Sequence, residues 1–166
     1  MTFTPKQFKY SNMDESKLQR YPSPEVGLQY LLIEGADYNE ETEVFDVMFK
    51  SLSNEAKFRI RSFMLSKDGK PNYMSVHWHN MLGYACCGIK TALLPEDLIG
   101  CVVMANVNLE PGWKDKKQYE EDMRTKGTSD VTLYPQIPAD SFEPIPEDMM
   151  EFSQRPDQFY IPSDEA

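Results

Sequence analysis

Alternation of apolar and polar residues dominates the first half of the chain and predicts three β-strands. Residues 27–35 form a short apolar run bounded by glycines, which is typical of a buried strand. Residues 43–50 and 56–65 are apolar at nearly every second position. Because successive side chains of a strand point to opposite faces, the two alternating segments predict strands with one face in the core.

The apolar spacing then changes to three and four residues. Met74, Trp78, Leu82 and Ala85 follow this spacing and predict one amphipathic helix over residues 72–89. Alternation returns at residues 99–109 and 131–136, which predicts two more strands, and a short helix is expected at 116–125 in the loop between them. The predicted order is three strands, a helix and two strands.

The two ends of the chain differ from this body. Residues 1–24 are polar and lack a sustained period, so we expect an N-terminal arm. Residues 139–166 combine four prolines with eight acids and one arginine, a composition that predicts a disordered acidic tail. The length of 166 residues suits one folded domain, which we place at residues 25–138.

Composition narrows the function classes. No apolar run approaches the roughly 18 to 20 residues of a membrane span, and residues 1–10 contain no apolar signal core. We therefore expect a cytoplasmic protein without a membrane partner. The cysteines, Cys86, Cys87 and Cys101, are odd in number and two are adjacent, which favours reduced and mostly buried thiols over a disulfide framework.

Candidate catalytic groups are sparse. His77 and His79 lie two residues apart, and on a helix their side chains diverge by about 200°, so they make a poor metal chelate. No second Cys or His pair completes a tetrahedral set, and the glycine-containing turns do not match phosphate-binding loops. We expect no metal, no cofactor and no enzymatic activity.

A basic strand is the main functional signal in a chain of net charge -10. Alternation places Lys57, Arg59 and Arg61 on one face at steps of about 6.5 to 7 Å, close to the spacing of phosphates in a single strand. Cations beside stacking aromatics are a sequence-tolerant way to bind single strands. The predicted nucleic-acid-binding residues are Lys50, Lys57, Arg59, Arg61, Tyr30, Phe63, Trp113, Lys114 and Lys116. The alternative is a solvated face whose cations balance Glu40, Glu41, Glu43 and Asp46.

Four segments together resemble a phage-encoded family of unknown function, whose members look like single-stranded DNA-binding proteins with an oligonucleotide/oligosaccharide-binding (OB) barrel. They are GLQYLLIEGADY, ACCGIK, LLPEDLIGCVVMANV and SFEPI. The usual Leu-Pro-x-Gly-x-Tyr opening of that family is replaced here by PSPEVGLQY, and the loop that holds Lys114 to Lys126 also differs. The resemblance implies a mainly β (α+β) protein, a five-stranded OB-like barrel with the helix between strands 3 and 4.

The resemblance also implies a function: a non-catalytic, phage-type single-stranded DNA-binding protein of replication or recombination, in the cytoplasm of a bacterial host cell. The acidic tail would then cover the basic strand in competition with DNA, or recruit replication or recombination proteins, or simply aid solubility. Self-association is compatible with this function. The alternative function is an acidic interaction protein that mimics nucleic acid and blocks a host nuclease or defence complex.

Overall fold

The computed structural model describes residues 24–88 and 94–163. Most of the predicted arm, the expected helix end at Ile89 and residues 164–166 of the predicted tail lie outside this range. The elements in chain order are β1 (Gly27–Asn39), β2 (Val44–Ser51), β3 (Lys57–Phe63), α1 (Tyr73–Cys87), β4 (Val102–Pro111), α2 (Lys116–Lys126), β5 (Leu133–Gln136), β6 (Ile145–Pro146) and β7 (Tyr160–Ile161). The predicted order of three strands, a helix and two strands is confirmed.

The five longer strands form one antiparallel sheet in the order β3-β2-β1-β4-β5. β1 is the central strand, and it continues to Asn39 rather than ending at Gly35. A β-bulge between Ile33 and Gly35 shifts its register with β2. The bulge bends the strand and increases its twist. The long, bent β1 therefore pairs with β4 along its first half and with β2 along its second half.

The sheet does not close into the predicted barrel. Its edge strands β3 and β5 approach each other, but no hydrogen-bonded ladder joins them within the described residues. A cavity of about 270 Å³ lies at this gap, lined by residues that include Arg61 and Gln136. β5 has four residues, and one of them is Pro135, which has no N–H to donate. A strand this short and with a missing donor makes a poor closing partner.

The inner face of the sheet carries the main core. Buried side chains alternate along β2 and β3 as the sequence predicts, and α1 covers them with Trp78, Leu82 and Ala85. Helix α1 begins after Asn72, whose side chain accepts a hydrogen bond from the Ser75 backbone N–H, and ends at Gly88 in the left-handed conformation. The indole N–H of Trp78 donates to the Ile137 carbonyl at 2.8 Å.

The expectation of a disordered tail is wrong for residues 139–163. Phe142 joins the main core, and Ile145 packs with Leu32 and Val102 in a second apolar cluster on the outer face of the sheet. The amide of Gln158 bonds both backbone polar groups of Val102, at 2.9 Å to its N–H and 2.5 Å to its carbonyl. The acidic, proline-rich composition hid these few anchors, and the folded body extends well past residue 138.

Candidate nucleic-acid interface

The outer face of β2 and β3 presents the predicted basic strand to solvent. Every second residue of β3 is exposed, from Lys57 to Phe63, and the residues between them are buried. The cross-strand pairs on the outer face are Lys50–Lys57, Met48–Arg59, Asp46–Arg61 and Val44–Phe63. We call this surface the open half of the outer face. The sequence placed its exposed residues correctly because a period of two fixes which side chains share a face.

Carboxylates accompany most of these cations. Arg61 makes a two-pronged contact with Asp46, at 2.9 Å from Nε to Oδ1 and 3.2 Å from Nη2 to Oδ2, and this contact raises the pKa of Arg61. Lys57 Nζ lies 3.3 Å from Glu34, and Lys50 Nζ lies 3.9 Å from Glu55. The alternative of a charge-balanced face is thus correct for Asp46, whereas Glu43 instead accepts a hydrogen bond from the Tyr38 hydroxyl.

Arg59 differs from its neighbours. Within residues 24–88 and 94–163 it forms no ion pair, and its cross-strand neighbour is the exposed, uncharged Met48. Exposed ion pairs contribute little to stability because water screens them and two long side chains must be ordered. Among the described residues, the open half therefore offers one cation without a carboxylate partner and three whose carboxylate partners an incoming anion would have to displace.

Tyr30 lies apart from the basic strand. It is on the outer face of β1, opposite Met104 of β4, and it packs against the second apolar cluster. Met149 and Phe152 line a cavity of about 390 Å³ beside it. The structure therefore does not bring Tyr30 together with Lys57, Arg59 and Arg61. Sequence alternation gave its face correctly, but it could not show that the C-terminal residues cover this part of the face.

Trp113, Lys114 and Lys116 lie in the loop between β4 and β5, where all three are exposed. The Trp113 indole is 77% exposed, and Lys67 Nζ sits 5.8 Å from its ring centroid. Lys67 belongs to the turn that follows β3, so this cation–π contact links the β4–β5 loop to that end of the basic strand. The contact joins residues 46 positions apart in the chain, and no local sequence pattern signals it.

A cavity of about 540 Å³ opens at the other side of Phe63, where the β1–β2 turn meets the end of β3. Its lining includes Asp37, Asn39, Asp46, Arg61 and Phe63. Sequence reasoning did not select Asp37 or Asn39, because they follow the predicted end of β1 at Gly35. The strand continues beyond a bulge that the sequence did not reveal, and the register shift at that bulge brings Asp37 and Asn39 onto the outer face.

The two histidines occupy different surroundings. His77 is exposed and lies 2.9 Å from Asp140, whereas His79 is largely buried with its ring centroid 4.2 Å from that of Phe45. Burial lowers the pKa of His79 to about 4. Across the described ranges, no group of three His, Cys, Asp or Glu side chains has the geometry to hold a metal ion.

The cysteines are free thiols. Cys86 and Cys101 are buried, as the sequence predicts, and Cys87 is partly exposed. Burial raises the pKa of Cys87 to about 11 and that of Cys86 above its usual value. A hydrogen bond from Cys86 lowers the pKa of Cys101, which is buried among its neighbours. None of the three thiols is therefore both exposed and easily deprotonated, as a reactive nucleophile would be.

No protein-family model matches the chain, and no curated protein matches it significantly. Among the helices of the described residues, none has the length and apolar character needed to cross a membrane.

Proposed function

We propose that the protein binds single-stranded DNA through the open half, as a non-catalytic protein of replication or recombination. The observation that carries the proposal is the exposure of Lys57, Arg59, Arg61 and Phe63 at alternate positions of one edge strand. Three cations and an aromatic ring then follow one line at steps of about 6.5 to 7 Å. A single strand needs this combination of phosphate contacts and a stacking surface.

The strand order supports an OB-like relationship. If the edges β3 and β5 met, the order β3-β2-β1-β4-β5 would close into the circular order of an OB barrel, and α1 already lies between β3 and β4. OB proteins bind oligonucleotides on strands 2 and 3 and on the loops beside them, including the one between strands 4 and 5. Those positions correspond here to the open half and to the loop with Trp113 and Lys116.

The ion pairs set the expected strength of the salt effect. A cation that already holds a carboxylate exchanges one anion for another when DNA arrives, so it releases less salt than an unpaired cation. Arg59 has no such partner among the described residues. We therefore expect Arg59 to contribute most to the salt dependence, at about 0.7 in the log-log slope per phosphate contact.

A labelled thymine oligonucleotide of about twelve nucleotides tests the proposal by fluorescence anisotropy at several salt concentrations. The wild-type affinity should fall as salt rises. Arg59→Gln should lower the affinity about three- to fivefold and reduce the slope by about 0.7. Arg124→Gln is the matched control, because Arg124 is exposed on α2 and pairs there with Glu121. Absence of binding at low salt, or equal losses in both variants, would contradict the proposal.

A second function, nucleic-acid mimicry by an acidic interaction protein, is favoured by a different observation. The structure holds the acidic C-terminal residues on the folded surface, where Glu143, Glu147, Asp148 and Glu151 are exposed. A mimic needs carboxylates at fixed positions, and a disordered tail would not provide them. This candidate predicts that a nuclease assay is inhibited by the protein, and that changing Glu147, Asp148 and Glu151 to their amides relieves the inhibition without affecting the anisotropy titration.

A further inference from the structure

The cavity beside Phe63 combines three kinds of side chain in one place. Asp37, Asp46 and Arg61 form a row across β1, β2 and β3, since Asp37 is opposite Asp46 and Asp46 is opposite Arg61. Phe63 lies two residues beyond Arg61 on the same strand face, about 6.5 to 7 Å further along. The cavity, of about 540 Å³, contains this row and the ring.

Asp37 is the unexplained member of the row. It is exposed and directly opposite another carboxylate, an arrangement that destabilises a sheet. Arg61 uses Nε and Nη2 for Asp46, and within the described residues it forms no hydrogen bond or ion pair with Asp37. The Asp37 side chain has no hydrogen bond or ion pair in the part of the chain that the structure describes. Folding therefore does not account for a carboxylate at this position.

The row presents acceptors and donors in a defined order. Asp37 offers two carboxylate oxygens at one end. Arg61 lies at the other end, and its Nη1 group has no hydrogen-bond partner within the described ranges. Phe63, 57% exposed, supplies an aromatic surface beside the row and lines the same cavity. A planar ring that stacks on Phe63 would meet acceptors on one side and donors on the other.

Guanine has the matching edge among the four bases. Its ring N–H and its exocyclic amine are adjacent donors that a carboxylate can accept together, and its carbonyl oxygen is an acceptor for an arginine N–H. Thymine flanks its single N–H with carbonyls on both sides. Adenine and cytosine place an acceptor next to their amine, and that acceptor would face the carboxylate.

We propose that this cavity is a base-specific subsite in which a guanine of the bound strand stacks on Phe63 and donates two hydrogen bonds to Asp37. The inference rests on the proposed single-strand binding function and adds base preference to it. Arg61, held in position by Asp46, donates to the guanine carbonyl oxygen. Elsewhere along the open half, contacts are to phosphates and remain independent of sequence.

Three labelled oligonucleotides of about twelve nucleotides test this subsite: all thymine, the same strand with one central guanine, and the same strand with inosine at that position. We expect the guanine strand to bind about fivefold or more tightly than the thymine strand. Inosine should bind with intermediate affinity, because it lacks the exocyclic amine. Asp37→Asn should abolish the preference, while Asp148→Asn, which removes an exposed carboxylate from the C-terminal segment, should retain it.

The outcomes separate the subsite from the proposed function. If no strand binds at low salt, both the function and the subsite are wrong. Equal binding of the guanine and thymine strands, or a preference that persists in Asp37→Asn, would overturn the subsite and leave single-strand binding intact. Guanosine monophosphate serves as a competitor. If it displaces the guanine strand at concentrations similar to that of the strand itself, the cavity binds a free nucleotide instead.

Discussion

The two halves of the outer sheet face differ in residue type and in exposure. One half is apolar and covered, and the other is mostly charged and exposed. Over β1 and β4 the face carries Tyr30, Leu32, Val102 and Met104, and the C-terminal segment covers it. The open half, over β2 and β3, carries mostly charged residues and remains exposed. We call the β1–β4 part the covered half.

From this difference we expect the covered half to matter for stability and the open half to matter for binding. Burial of apolar area in the covered half stabilises the fold by about 25 cal/mol per Å², so those side chains are expected to tolerate little change. Charged residues in the open half lose little when solvated, because exposed pairs contribute little in water. Among the described residues, the open half is therefore the part of the face that is accessible to a ligand.

The largest expected effect on stability comes from weakening the contact between the C-terminal segment and the covered half. Ile145 is fully buried against Leu32 and Val102. Ile145→Ala should lower the free energy of unfolding by about 3 kcal/mol, because it removes buried methyl groups and leaves a cavity. Urea denaturation monitored by circular dichroism measures the change. Ile161→Ala, at a partly exposed position of β7, is the control and should change stability much less. An equal, small effect in both variants would show that the cover is dispensable.

Acidification should lower the stability of the fold by an intermediate amount. It should not change the difference between the two halves of the outer face. His79 lies on the inner side, and its pKa falls from 6.5 to about 4 in the fold because it is buried. Below pH 6.5 the unfolded chain takes up a proton that the folded chain excludes, so stability is full above that pH and declines towards pH 4. The loss between pH 7 and pH 5 should be about 2 kcal/mol.

Urea denaturation at both pH values measures this loss in the wild type and in His79→Gln, where the histidine contribution should disappear. His77→Gln is the matched control, since His77 is exposed on the same helix. A pH response that is unchanged in His79→Gln would show that other groups cause it.

The smallest stability effects distinguish Tyr30 from Phe63, two of the three aromatic residues that the sequence offered as base-stacking partners. Tyr30→Ala, in the covered half, should cost about 1 to 2 kcal/mol of stability through lost packing. Phe63→Ala, at an exposed position of the open half, should change stability by less than about 0.5 kcal/mol. Oligonucleotide affinity should follow the opposite order, with a loss of about fivefold or more in Phe63→Ala. Weaker binding by folded Tyr30→Ala than by Phe63→Ala would reverse the assignment of the two halves.

The sequence predicted the strand that carries the candidate site, but it did not predict the contacts around that strand. Alternation of residues along β3 gave the exposure of Lys57, Arg59 and Arg61 from the sequence alone. The pairing of Arg61 with Asp46 required the register of β2 against β3, and the contact of Lys67 with Trp113 required two distant loops to meet. Asp37 reached the cavity through a bulge, and a bulge has no reliable signature in a single sequence.

Sequence by itself determined the order of the strands and helices and the face to which each alternating side chain belongs, because both follow from periodicity along a few neighbouring residues. Tertiary structure decided that the sheet stays open at β3 and β5 and that residues 139–163 fold over β1 and β4. Those outcomes depend on a few long-range contacts, such as Ile145 with Leu32 and the Gln158 amide with Val102. A few specific contacts can hold a segment in the fold even when its average composition is unfavourable for folding. The average composition does not reveal such contacts.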